Sequence, residues 1–217
     1  MNFSIYLKFF LFAVLLVLLS TVGFNRLIDP YALYGDPTIE GVNANKPAFS
    51  SHAYMAKATA VTVAPPTTIF LGSSRGERGM DPLHPALSGD KRYNLSLSGS
   101  SIYEALRYFQ HSHATESLKQ VVLGLGLRQF KHADQVSPSF TEERLSVSAE
   151  GATQNRSWLL ADLAVIASLD SIAASIETLW KQDETPHLLL HGEYNPQRLI
   201  EDMTNHRADF LSNEKSY

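Results

Sequence analysis

Gly72-Ser73-Ser74-Arg75 follows a short apolar run, Thr67 to Leu71, that starts directly after Pro65-Pro66. A glycine that permits a sharp turn, then two small hydroxyl residues at a strand end, suits a serine nucleophile or a cradle for an anion. The plainer reading of the same residues is a strand running into a polar loop. Arg75 suits an anionic substrate group, because the guanidinium fork matches carboxylate and phosphate. Its alternative is a solvated surface network with Glu77. Metal chemistry is not expected. The chain has no cysteine, and His111 and His113, two residues apart, do not share a helix face. They suit the carboxyl end of a helix dipole instead. His52 reads as a surface residue. No Gly-x-Gly-x-x-Gly turn opens a helix, so no dinucleotide cofactor is expected.

The elements that must position these residues read as α/β. Pro65-Pro66 stop the preceding helix, expected over 52–63 with Ser50 or Ser51 as its cap. The run from Thr67 to Leu71 lacks polar alternation, as a central parallel strand covered on both faces would. A charged, glycine-flanked loop is expected over 75–79. Tyr93 to Leu97 reads as a second strand leaving through Ser98-Gly99. Ser101 and Glu104 form a capping box that opens a helix, with Ile102, Ala105, Leu106 and Phe109 on one face. Gln120 to Leu127 reads as a third strand, again central. From Trp158 to Trp180 the pattern is helical, with Trp158, Val165, Ile172 and Leu179 repeating every seven residues. A break at 169–171, capped by Ser168 or Asp170, is expected, with packing against the sheet. A short strand at 187–191 and a charged helix from Gln197 to Phe210 follow.

Gly72-Ser73-Ser74, then Asp81-Pro82-Leu83-His84-Pro85, then Asn94-Leu95-Ser96-Leu97-Ser98-Gly99, occur in an order that resembles the SGNH/GDSL hydrolases. The nearest likeness is to their membrane-anchored bacterial branch, over about residues 24–130. The resemblance implies a flavodoxin-like parallel sheet with flanking helices. It places Ser74 at the nucleophile's position, Ser73 at the family's aspartate, and the Ser74 and Gly99 N–H groups as oxyanion donors. Ser73 and Arg75 become substrate-contacting residues. The family's Gly-x-Asn-Asp is replaced by Gly126-Leu127-Arg128-Gln129, so its asparagine donor is missing. The family's late Asp-x-x-His is also unmatched: Asp183 with His187 and Asp202 with His206 are spaced by four. With three convincing strands, the chain reads as an incomplete, carboxyl-terminally truncated member. Two functions follow. One is an esterase or O-acyltransferase acting on cell-envelope carbohydrate or lipid esters, with doubtful activity in this chain. The other is a non-catalytic, membrane-anchored envelope protein for binding or assembly.

Phe9 to Leu19 holds no polar residue, and Ile5 to Phe24 is near the length that spans a bilayer. Thr21-Val22-Gly23 is a poor cleavage site, so residues 1–24 read as an uncleaved anchor. Residues 25–50 read as a turn-rich linker, with Tyr31 and Tyr34 either at the membrane interface or packed on the domain. Residues 51–217 read as the α/β domain. A short amino tail kept inside places that domain in the periplasm or outside the cell, on a single-pass inner-membrane anchor. A net charge of −4 offers no basic surface for nucleic acid. The expected partners are the membrane and an envelope polysaccharide or lipid ester. The oligomeric state is left open.

Overall fold

The computed structural model describes residues 3–205 except 36, 88, 132–134, 155–158, 187 and 190. The first element is a single long helix, α1 (Phe3–Ile28), apolar and long enough to cross a membrane. Residues 3–20 are exposed throughout, whereas Asn25 and Ile28 are buried in the rest of the protein. The chain leaves α1 at Asp29, whose φ of 47° lies in the left-handed region. The Asp29 carboxylate accepts the N–H groups of Leu33 and Tyr34. The Lys46 ammonium donates to the Ile28 and Asp29 carbonyls, capping the negative end of α1. The stretch expected as a linker is therefore packed: Tyr31, Leu33 and Phe49 share a core cluster with Ala56 and Ala174.

A 3₁₀ turn (Pro47–His52) leads into α2 (Ala53–Val63). Neither expected serine caps it. Ser51 donates its hydroxyl to the Ala48 carbonyl instead, and His52 is the N-cap without a capping side-chain bond, its Nδ1 meeting the Ser51 hydroxyl. His52 is half-buried and stacks on Tyr31. After the Pro-Pro stop come β1 (Thr68–Gly72), α3 (Ser74–Gly79), β2 (Arg92–Asn94), α4 (Ile102–Thr115) and β3 (Gln120–Gly124). The three strands form one parallel sheet in the order β2-β1-β3. All of β1 is buried, as its unbroken apolar pattern predicts. β2 is short, yet Leu95 and Leu97 continue its bonding by donating to the Phe70 and Gly72 carbonyls. The capping box at Ser101 and Glu104 forms with both of its bonds.

β3 corrects the expectation of a third central strand. No described strand pairs with its outer edge, and Val121 and Leu123 are exposed. Together with Ile102, Leu106 and Phe109 of α4 they line an open apolar cleft. The buried core lies on the other side of α4, where Tyr54, Val61, Ile69, Leu71, Leu95, Leu97, Tyr108 and Leu145 meet. His111 sits there rather than serving a helix dipole. Its Nδ1 accepts the Ser146 N–H, so its Nε2 carries the proton and donates to the Ala58 carbonyl. The remaining helices are α5 (Leu127–Lys131), α6 (Leu159–Ile166), α7 (Leu169–Trp180) and α8 (Pro196–Asn205). The break before α7 and its Ser168 cap are as read. α6 and α7 pack on the end of α1, however, and not on the sheet. In the segment read as a late strand, Leu188 and Tyr194 form one isolated antiparallel bridge.

Candidate functional site

The carboxyl edge of β1 is built by close backbone approach. A Cβ on Gly72 would meet the Gly124 carbonyl at 3.1 Å, and one on Gly76 would meet Ser96 Oγ at 2.6 Å. These glycines let α3 and β3 crowd the strand end. Ser73 is the extended N-cap of α3 and Ser74 its first residue. Both are partly exposed, and neither hydroxyl has a hydrogen bond to a described residue. The loop expected over 75–79 is helical because distant groups hold its carbonyls. Asn94 Nδ2 donates to the Gly76 and Met80 carbonyls at 3.0 and 2.9 Å, and Tyr194 N–H donates to the Glu77 carbonyl.

The turn after β2 is joined to this edge. Leu97 N–H and the Ser100 hydroxyl both donate to the Gly72 carbonyl, at 2.9 and 3.0 Å. Between them, Gly99 is exposed with φ 78°, a conformation that favours glycine. The structure therefore brings the Ser73-Ser74 turn and the Gly99 turn to one edge. Arg75 is exposed and makes no ion pair with a described residue.

Beneath the two turns lies a buried charge network that sequence reasoning missed. Lys57 of α2, fully buried, donates to Glu77 Oε1 at 3.1 Å and to the Ser96 carbonyl at 2.7 Å. Ser98 donates its hydroxyl to Glu77 Oε2 at 2.5 Å. Glu77 thus ties α2, α3 and the Gly99 turn together, and it is no part of a surface network with Arg75. Burial pushes the Lys57 ammonium down from its ordinary value, opposed by the charge of Glu77. The available signal was Lys57 itself, a lone charge among Ala56, Ala58 and Ala60. Gln129 was also passed over. It is buried, accepts the Gly126 N–H through Oε1, and leaves Nε2 without a partner among the described residues.

Glu193, also buried, follows the loop that crosses β2, and its Oε2 has no partner among the described residues. Burial raises its carboxyl above the ordinary value of 4.5. Between that value and the raised one, the folded chain keeps a proton that the unfolded chain has lost, so stability falls as pH rises through this window. Glu193→Gln is therefore expected to melt higher than the parent at pH 7, with the difference vanishing near about pH 4. Thermal unfolding of the detergent-solubilised chain at both pH values checks this. An unchanged melting temperature at pH 7 would mean that the charge carries no penalty.

No described histidine hydrogen-bonds the Ser74 hydroxyl. His52 stacks on Tyr31, His84 Nδ1 accepts the Ala86 N–H, and His111 is spent in the core. His113 stacks on Phe109, and His191 meets the Arg92 carbonyl at the start of β2, the opposite edge of the sheet. His187 and His206, the candidate bases, lie outside the described residues. The described residues hold no group of three potential metal ligands. No family model, curated protein or solved structure matches this chain. The fold and site define an α/β protein with a small parallel sheet and an apolar amino-terminal helix.

Proposed function

We propose that this chain is a membrane-anchored protein of SGNH type, with Ser74 in the nucleophile's position of an esterase or O-acyltransferase site for envelope carbohydrate or lipid esters. One observation carries the reading: Ser74 starts α3 at the carboxyl edge of the central strand, its hydroxyl bonded to no described residue, beside the Gly99 turn. The strand order supports it, because β2-β1-β3 is how a flavodoxin-like sheet begins, and ligands bind where the order reverses, beyond the ends of β1 and β3. In this reading Ser74 Oγ attacks the ester carbonyl carbon and its proton passes to a base. The alkoxy C–O bond then breaks, the alcohol leaves with a proton, and water or a second alcohol releases the acyl group. The Ser74 and Gly99 N–H groups face the developing oxyanion. Ser73 and Arg75 contact the substrate. α1 holds the domain on the inner membrane, facing the periplasm or exterior.

With no described histidine bonded to Ser74, the unaided site is a slow one. An added base is the test. Imidazole is expected to accelerate p-nitrophenyl acetate hydrolysis several-fold above its own background, and Ser74→Ala is expected to remove that increment. An increment that survives Ser74→Ala would contradict the assignment. The second reading, a non-catalytic envelope binding protein, is favoured by the lack of a histidine bonded to Ser74 among the described residues, and it predicts no increment at all.

A further inference from the structure

α7 is an amphipathic helix turned the wrong way round for a soluble domain. Its buried residues are Ser171, Ala174, Ser175 and Thr178, all small and mostly polar. Its outward line is Leu169, Ala173, Ile176 and Trp180, spaced four, three and four, which is one face at about 100° per residue. Leu169 is 81% exposed and Trp180 82%. Ile172 and Leu179 extend this apolar arc on one flank. Asp170 and Glu177 mark the other, where Glu177 pairs with Lys181.

The position of α7 says what covers that arc. Asn25, in the last turn of α1, donates its amide to the Ile166 carbonyl at 2.7 Å and accepts the Ser175 hydroxyl at 2.8 Å. The uncovered part of α1, residues 3–20, is about 27 Å long at ~1.5 Å per residue, close to the ~30 Å hydrocarbon thickness of a bilayer. Coverage of α1 starts at Thr21. α6 and α7 therefore sit where the anchor leaves the hydrocarbon. An apolar arc with an exposed tryptophan at that depth meets the chemistry of the interface, where amphipathic rings settle and interfacial helices bury their apolar side.

Resting on α1 as the membrane anchor, we propose that α7 is an interfacial helix that sinks Leu169, Ala173, Ile176 and Trp180 into the outer edge of the same bilayer. The domain then lies on the lipid in one fixed orientation instead of swinging on a tether. The Asn25 bonds to α6 and α7 make anchor and interfacial helix one rigid unit.

The absence of cysteine allows single-cysteine spin labelling of the full chain in phosphatidylcholine–phosphatidylglycerol vesicles. Labels at Leu169→Cys, Ala173→Cys, Ile176→Cys and Trp180→Cys are expected to collide more with oxygen than with a water-soluble nickel chelate. Asp170→Cys and Glu177→Cys are expected to reverse that ratio. Leu15→Cys, on α1, reports the anchor and is expected to lie deeper than Ala173→Cys. Ala173→Cys is the safe substitution, since it fills no buried space. A nickel-accessible Ala173→Cys with Leu15→Cys still in lipid would overturn the proposal alone. A water-exposed Leu15→Cys would overturn the anchor and the proposal together. Spin–spin broadening at Ala173→Cys that disappears on dilution with unlabelled chain would show a second copy covering the arc, and would also overturn it.

Discussion

Glu77→Ala is expected to cost about 3–5 kcal/mol of stability, enough to unfold many domains. The cause is the partner left behind. Lys57 has no solvent-accessible side-chain surface, so losing Glu77 strands an ammonium against the Ser96 carbonyl alone. Ser98 loses its acceptor in the same step, which frees the Gly99 turn. Lys57→Met is expected to cost less, because Glu77 keeps Ser98 and a little solvent. The double change Lys57→Met with Glu77→Leu is expected to recover most of the loss, as apolar replacements of buried ion pairs often do. Chemical denaturation of the three variants in detergent gives the comparison. A Glu77→Ala cost below about 1 kcal/mol would show that Lys57 is neutral in the fold or reaches water.

Ester turnover by the unaided chain is expected to be about 10⁶-fold below that of a serine hydrolase with its base in place. An unactivated hydroxyl is a weak nucleophile at neutral pH. The five described histidines are each placed elsewhere in the fold. On the proposed SGNH-type reading, the lack of an asparagine donor after β3 lowers the rate by a further factor of about 10²–10³. Without a base titrating near neutrality, the residual rate is expected to climb with hydroxide concentration and not to level off. Rates with p-nitrophenyl acetate across the neutral range decide this. A plateau with an apparent pKa near about 7 would reveal a base.

The legible parts of the fold were those set by near neighbours. The capping box at Ser101 and Glu104, the Ser168 cap and the unbroken apolar run of β1 are each written within a few residues, and each forms as read. The illegible parts depend on distant partners. α3 looked like a loop because Asn94 and Tyr194, which hold its carbonyls, are far along the chain. Glu77 looked like a surface charge because its partner Lys57 is twenty residues earlier. β3 has the composition of a central strand, but no described strand lies beyond it. The stretch 29–46 carries turn residues yet is packed, because Asp29 and Lys46 organise it. In α7, periodicity revealed an apolar face without saying which way it points. At the candidate site, the order of Ser74 and Gly99 was readable, whereas the charge network beneath them was not.

The most direct test of the Ser74 assignment is where a fluorophosphonate adds to the full chain. Prolonged labelling followed by peptide mass spectrometry is expected to find slow, sub-stoichiometric phosphonylation at Ser74, faster with added imidazole, absent in Ser74→Ala and retained in Ser73→Ala. An adduct that persists in Ser74→Ala but disappears in Ser73→Ala, or one that settles on Ser98, would contradict the account.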